Sequence, residues 1–96
     1  MLTSKQMAFL RSLGNELEPI IQVGKGGISD NLIQQVDDAL EARELVKGRI
    51  LKNAAEDVRD AAEYLAEATD AEVVQVIGNI FLLYRQRTEE PRIELP

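Results

Sequence analysis

Two kinds of hydrophobic pattern alternate along the chain, and this alternation constrains the fold more than any other feature. Three segments repeat apolar residues at the three- and four-residue spacing of a helix, and short runs rich in valine, isoleucine and leucine separate and follow them. The predicted order is α-β-α-β-α-β-β. Because strands separated by helices pair in parallel through right-handed crossovers, we expect a compact α/β domain with a four-stranded mixed sheet.

The three helices are located by the residues that cap them. A cap carries a side-chain oxygen that accepts a hydrogen bond from a backbone N–H of the first turn. The predicted caps are Thr3, Ser29 and Asn53, and both Thr3 and Asn53 are followed three residues later by the Gln or Glu of a capping box. Gly14 is placed to end the first helix in the left-handed conformation, and the third helix should end before Asp70.

Four strands are predicted from apolar, β-branched runs and from the turns beside them. The runs are Pro19–Val23, Leu45–Leu51, Val73–Ile77 and Ile80–Tyr84. Gly78-Asn79 is the glycine-first pair of a tight hairpin, so the last two strands should be antiparallel neighbours. Since they are apolar on both faces, we expect them to be central or covered on both sides, the second face by the first helix. Arg92–Leu95 alternates and could add a short edge strand.

The composition excludes most catalytic chemistry. The chain has neither cysteine nor histidine, so thiolate nucleophiles, catalytic triads and most transition-metal sites are excluded. We therefore predict a protein that is not an enzyme, with no catalytic residue, metal site or cofactor. The sequence has no long apolar segment and no signal-peptide pattern, which predicts a soluble, cytoplasmic protein. A length of 96 residues predicts one domain, 1–96, with a tail from about residue 88 that could be flexible.

The loop Gly24-Lys25-Gly26-Gly27 lies between a predicted strand and a predicted helix N-terminus. Exposed N–H groups, the helix dipole and a lysine can converge there on one anion, and a phosphate is the natural candidate. The loop is not a nucleotide-binding loop, because no hydroxyl residue follows Lys25 and Ser29 occupies the place of the last glycine of the dinucleotide fingerprint. Considered alone, the motif is equally compatible with a glycine-rich turn that binds nothing.

Further cations could join this loop in a compact sheet. Lys47 and Arg49 share the outer face of a predicted strand, and Lys52 follows that strand. Arg85 and Arg87 leave the last strand. The formal charge is −6, yet residues 1–52 carry seven basic and seven acidic residues, against four and ten in residues 53–96. The acidic excess is therefore local, and it can leave the loop and the basic strand electropositive.

The predicted third helix carries an acidic stripe. Its members are spaced one turn apart: Glu56, Asp60, Glu63 and Glu67. A metal site or an acid–base pair is disfavoured, because solvent-exposed helix faces are commonly charged and nothing in the sequence indicates a desolvated carboxylate. Aromatic residues are few: Phe9, Tyr64, Phe81 and Tyr84. This scarcity disfavours extended base stacking on single strands, and Tyr84, next to Arg85, is the possible exception.

Several separated motifs, in order, resemble those of a known family. They are Leu2–Gln6, Pro19 before a strand that ends in Gly24–Gly27, Leu45–Ile50, Val74–Asn79, Leu83–Arg85 and Arg92–Pro96. The family is the CRM domain (chloroplast RNA splicing and ribosome maturation), in particular its bacterial single-domain YhbY-type members, and the resemblance covers nearly the whole chain. It implies a fold similar to the C-terminal domain of the third bacterial translation initiation factor.

The resemblance also implies RNA binding, in bacteria by assembly factors of the large ribosomal subunit. It implies that Gly24, Lys25, Gly26 and Gly27 approach the RNA backbone, with Lys47 and Arg49 as phosphate contacts. We therefore predict an RNA-binding protein that contacts ribosomal RNA in large-subunit precursors, and that could also meet ribosomal proteins. The alternative is a protein-interaction module that docks a basic ribosomal protein through the acidic third helix. Gly48 is less typical of an RNA-binding surface, since it leaves a gap between Lys47 and Arg49 in the basic strand.

Overall fold

The computed structural model describes residues 1–96 and has the predicted element order and fold class. The elements are α1 (Ser4–Gly14), β1 (Ile21–Val23), α2 (Asp30–Arg43), β2 (Leu45–Ile50), α3 (Val58–Thr69), β3 (Glu72–Ile77) and β4 (Ile80–Tyr84). The caps Thr3 and Ser29 are confirmed, and Thr3 forms a full capping box with Gln6. None of the three helices has the length and apolar character that would be needed to span a bilayer.

The four strands form one mixed sheet in the order β1-β2-β4-β3. β1 and β2 are parallel, as expected for strands joined by a helix, whereas β4 is antiparallel to both of its neighbours. The β3–β4 hairpin turns at Gly78, which has a φ of 56°. β4 is central and β3 is an edge strand, so only one strand of the predicted hairpin lies inside the sheet.

Helices cover both faces of this sheet. On one face, α2 and α3 bury Phe81 and Leu83 of β4 in the larger core. On the other face, α1 lies against β2 and β3, and its Leu10 joins Leu82 and Tyr84 in a smaller core. The predicted covering of the second face by the first helix is therefore confirmed.

Two glycines are required by close packing against β4. A Cβ on Gly48 would collide with the ring of Phe81, so Gly48 faces the larger core and leaves no gap in the basic face of β2. A Cβ on Gly14 would lie 2.5 Å from Leu82 Cδ2. Gly14 ends α1 without a positive φ, so the predicted left-handed stop is wrong. In both cases the glycine lets a large β4 side chain approach the backbone.

The third helix starts later than predicted. Asp57, not Asn53, is its N-cap, and its carboxylate accepts hydrogen bonds from the N–H groups of Arg59 and Asp60. The chain still pairs with β1 at Leu51, whose N–H bonds to Val23 C=O, and it then turns, since Ala54 N–H bonds to Leu51 C=O. The helix can begin only after this turn, and the residue at its end takes the cap. Thr69 is the last helical residue, so the predicted end before Asp70 is confirmed.

The C-terminal tail forms no strand, so the possible edge strand at Arg92–Leu95 is wrong. Its backbone donors bond to one buried carboxylate instead. Glu44, 1% exposed, accepts hydrogen bonds from the N–H groups of Arg87 at 3.1 Å, Arg92 at 2.8 Å and Ile93 at 2.9 Å. These bonds hold the tail over the smaller core, where Ile93 and Leu95 pack.

Candidate functional site

The glycine loop joins the end of β1 to the start of α2. Gly27 N–H donates to Gly24 C=O at 3.0 Å and closes a turn, and Gly27 has a φ of 69°. Ser29 then caps α2 by accepting a hydrogen bond from Leu32 N–H at 3.1 Å. The N–H groups of Lys25 and Gly26 find no acceptor within the protein. They are therefore available to an anion in the loop that leads into the N-terminus of α2.

Residues between β2 and α3 pack against both ends of this loop. A Cβ on Gly27 would lie 2.8 Å from Glu56 Oε2, and a Cβ on Gly24 would lie 3.4 Å from Leu51 Cδ1. Gly26, in contrast, has no neighbour within 4 Å of its Cβ position. The loop is therefore packed at its two ends and open in the middle, where Lys25 and Gly26 are exposed.

Three exposed cations lie at this end of the sheet. Val23 pairs with Ile50, so the loop after β1 and Lys52 after β2 leave the sheet at the same end. Arg49 is one residue back on β2, between Gln22 of β1 and Ile80 of β4. Both ion pairs of the structure involve Arg85, so Lys25, Arg49 and Lys52 have no carboxylate partner. Their charge is available to a ligand.

Lys47 is farther from the loop. It lies on the same face of β2 as Arg49 but two residues earlier, opposite Leu82 of β4, and it is half-buried. Glu16, Glu18 and Arg43 share a shallow groove with it, so the charges there balance. Lys47 therefore extends the basic face of β2 at a point where the local net charge is close to zero.

Arg85 and Arg87 lie at the opposite end of the sheet. Tyr84 pairs with Leu45, the first residue of β2, whereas the loop is beside the last. Arg85 Nη1 is 2.6 Å from Asp37 Oδ1 and 2.8 Å from the carbonyl oxygen of Thr69, so it links α2 to the end of α3. The structure therefore does not bring these two arginines together with Lys25, and the sequence-based expectation of one cluster is corrected.

The aromatic and acidic predictions also change. Tyr84 is 5% exposed, and burial, followed by the charges of Glu44 and Glu72, raises the pKa of its phenol. It is therefore unavailable for stacking. Tyr64 on α3 is 57% exposed. The only sign of this exposure in the sequence is that the tyrosine lies among the charged residues of the helix. Glu56 lies outside α3 and faces Gly27, so the acidic stripe of the helix keeps three of its four predicted members.

A polar groove of about 540 Å³ beside the loop was not predicted from the sequence. The glycines of the loop form one side, and Asn31, Gln34 and Gln35 of α2 are among the residues on the other. Side-chain amides both donate and accept hydrogen bonds, so they can contact sugars and bases, while Asp38 at the same groove adds one negative charge. The available signal was the spacing of the three amides on one exposed helix face.

Residues 2–85 match the family model of the CRS1/YhbY (CRM) domain. The chain belongs to this family. The match covers every helix and strand of the CRM domain described above, and it confirms the resemblance drawn from the separated motifs.

Relatives of this CRM domain have been named as RNA-binding proteins. It is 52% identical over 96 residues to the Probable RNA-binding protein YqeI of Bacillus subtilis, which covers 100% of both chains. It is 33% identical over 95 residues to a protein of Haemophilus influenzae named RNA-binding protein, which covers 99% of this chain and 95% of the relative.

A solved structure has the same fold. The solution structure of the hypothetical protein SAV1595 from Staphylococcus aureus superimposes with a TM-score of 0.82 at 52% sequence identity, and the match covers 100% of both chains. The mixed four-stranded sheet with three helices is thus the fold of this CRM domain and of that neighbour.

Proposed function

We propose that this CRM domain is a non-enzymatic RNA-binding protein that holds the RNA backbone on the loop Gly24–Gly27. The observation that carries the proposal is the pair of unbonded N–H groups of Lys25 and Gly26 in the loop that leads into α2. Beside them lie Lys25, Arg49 and Lys52, none of which has a carboxylate partner. Neutral donors and cations together are what a phosphate requires.

The mechanism follows from these groups. The glycines allow the backbone of the loop to approach a phosphate closely, and the cations displace counterions from the RNA. With Lys25, Arg49 and Lys52 set aside, the remaining charged residues sum to −9, which repels RNA elsewhere. Binding should therefore be confined to the loop end of the sheet and read the shape of a folded RNA more than its sequence.

The target that we propose is ribosomal RNA in precursors of the large subunit. The names of the relatives support RNA as the ligand. The ribosomal target rests on the family resemblance of the motifs. Of the predicted contacts, Gly24, Lys25, Gly26, Gly27, Arg49 and Lys52 form the proposed site, with Lys47 at its margin. Arg85 and Arg87 act in the fold, where Arg85 binds Asp37 and the backbone of Arg87 binds Glu44.

Replacing Lys25 by glutamate tests the site. Lys25 is exposed and forms no hydrogen bond or ion pair in the protein, so the fold should survive. We expect Lys25→Glu to weaken RNA binding by about 1–3 kcal/mol and to lower the salt dependence, because a phosphate contact is replaced by repulsion. The measurement is a filter-binding titration with structured ribosomal RNA over a range of salt concentrations.

Lys5→Glu is the matched control, since it makes the same charge change at an exposed lysine of α1 that is not one of the residues of the proposed site. An equal loss in both variants would show that only net charge matters and would remove the loop from the mechanism. Crosslinking through position 25 in cells, followed by sequencing of the attached RNA, tests the target. Recovery of RNA without enrichment of large-subunit precursors would refute the ribosomal assignment.

A further inference from the structure

A row of side chains crosses the whole sheet near its loop end, on the face that α1 covers farther along. The strand register places one residue of each strand beside the next, in the order Gln22, Arg49, Ile80 and Ile77 across β1, β2, β4 and β3. Paired residues of neighbouring strands point to the same face, so these four side chains lie side by side. We call them the sheet row.

The helix α1 stops short of the sheet row. Its core reaches Leu82 of β4, against which Gly14 packs at the end of the helix. Ile80 lies two residues earlier on the same face of β4, and neither Ile80 nor Ile77 joins either core. Ile77 is 61% exposed although its side chain is wholly apolar. The sheet row is therefore an uncovered part of this face.

The sheet row is continuous with the proposed phosphate site. Arg49 belongs to both, and its guanidinium has no carboxylate partner. The loop Gly24–Gly27 begins two residues after Gln22 on the same strand connection. An RNA whose phosphates are held by the loop and by Arg49 therefore lies against the row, where it meets one amide and two aliphatic side chains.

The shape of the sheet row favours a helical RNA over unpaired bases. The row has no aromatic residue, so it offers no stacking surface to a single strand. Neighbouring strands lie about 4.8 Å apart, so the outer two of the four are roughly 14 Å apart. That width exceeds both grooves of B-DNA, about 6 Å for the minor and about 12 Å for the major groove. A-form RNA has a narrow major groove but a wide, shallow minor groove that displays ribose hydroxyls, and only this groove accepts a broad sheet face.

We propose that the sheet row docks in the minor groove of an A-form RNA helix, while the loop Gly24–Gly27 and Arg49 hold phosphates at the edge of that groove. Ile77 and Ile80 contact the apolar faces of the riboses, and the amide of Gln22 can both donate to and accept from a 2′-hydroxyl. The proposal rests on the RNA-binding function proposed above. It names the form of RNA that the site takes, which is a double-stranded segment of a folded RNA.

The first test compares three nucleic acids on the unchanged protein. Fluorescence anisotropy measures binding to an RNA hairpin, to a single-stranded RNA of the same length that cannot pair, and to a DNA hairpin of the same sequence. The DNA hairpin controls for the high charge density of a duplex. We expect the RNA hairpin to bind about tenfold more tightly than the other two, because only it presents a wide minor groove lined by 2′-hydroxyls.

Two outcomes of this comparison separate the proposals. Equal affinity for the RNA hairpin and for either of the other two nucleic acids would overturn the docking of the sheet row and leave binding by the loop intact. Absence of binding to all three would overturn both proposals.

The second test removes the apolar contact. Ile77 is exposed and joins neither core, so Ile77→Ser should fold, and we expect it to weaken binding to the RNA hairpin about fivefold without changing binding to the single strand. Tyr64→Ser is the matched control, because Tyr64 is an exposed large side chain on α3, across the sheet from the row. Unchanged hairpin binding in Ile77→Ser, or an equal loss in both variants, would overturn the proposal.

A third test uses charge and does not depend on the folding of Ile77→Ser. Gln22→Glu places a carboxylate in the sheet row, where it should weaken binding to the RNA hairpin about fivefold by repelling the backbone. Gln86→Glu makes the same change at an exposed residue after β4, at the opposite end of the sheet, and should change binding by less than about twofold. Equal losses would show an effect of net charge alone and would remove the row from the interface.

Discussion

Replacing Glu44 by glutamine should destabilise the domain through three backbone hydrogen bonds. The side chain of Glu44 is almost fully buried between the end of α2 and the C-terminal tail. Its Oε1 accepts from the N–H groups of Arg92 and Ile93, and its Oε2 accepts from that of Arg87. The φ of 66° at this position is unfavourable for glutamate and glutamine alike, so backbone strain does not contribute to the difference in stability between the two proteins.

The magnitude follows from these contacts. The amide oxygen of glutamine can replace Oε1, which weakens two charge-assisted bonds to neutral ones. The amide nitrogen must then face Arg87 N–H, where two donors meet and one is left without a partner. Hydrogen bonds to charged groups contribute about 1.5–3 kcal/mol each, and neutral ones about 0.5–1.5 kcal/mol. We expect a loss of about 2–4 kcal/mol, which lowers the Tm by roughly 4–8 °C per kcal/mol in a domain of this size.

The same carboxylate makes stability depend on pH. Burial alone would raise the pKa of Glu44, but the N–H groups of Arg87, Ile93 and Arg92 and the charge of Arg87 outweigh it and lower that pKa from its ordinary value of 4.5. The stabilisation is therefore fully present above about pH 4.5 and is lost as the pH falls through the lowered pKa of the folded state. The difference between the wild type and Glu44→Gln should shrink on acidification.

Urea unfolding followed by circular dichroism, at neutral pH and at several acidic values, measures both effects. Glu89→Gln is the control, because Glu89 is an exposed tail carboxylate with no hydrogen-bond partner in the protein. Glu41 also has a lowered pKa, owing first to its hydrogen bond from Thr88, so only the difference between variants isolates Glu44. A loss below about 0.5 kcal/mol in Glu44→Gln, or one independent of pH, would refute the account of the tail.

Two further pairs of variants test the fold. Gly48→Ala should cost about 1–3 kcal/mol in urea unfolding, because the new methyl collides with Phe81, whereas Gly26→Ala meets open space and should change stability by less than about 1 kcal/mol. Equal effects of the two would contradict the packing of β2 on β4. Asp57→Ala should cost about 1 kcal/mol in thermal unfolding and Asn53→Ala much less, since only Asp57 caps α3. The reverse order would place the helix start at Asn53.

Much of the fold was predictable because its rules are local. A capping residue and the N–H that it accepts from are within one turn, so Thr3 and Ser29 could be identified from neighbouring residues alone. The same holds for the alternation of β2, which separates Lys47 and Arg49 from the larger core, and for the hairpin at Gly78. The glycine loop was also located, because its strand and its helix lie next to it in the chain.

The choice between two local signals depended on the path of the chain. Asn53 and Asp57 are both competent caps, and only the turn that takes the chain from the end of β2 to α3 decides that Asp57 is used. That turn also places Glu56 against Gly27 instead of on the helix face. The packing of Glu56 against the glycine loop therefore depends on a displacement of four residues that the capping pattern could not reveal.

The sequence by itself determined the order of the elements, their types and the position of the glycine loop, because periodicity and capping involve residues a few positions apart. The tertiary structure alone decided which distant groups meet: Gly48 with Phe81, Arg85 with Asp37, and Glu44 with the backbone of the tail. Such contacts depend on sheet order and on the angle at which helices pack. The same geometry placed Lys25, Arg49 and Lys52 at one end of the sheet and turned Arg85 to a structural role at the other.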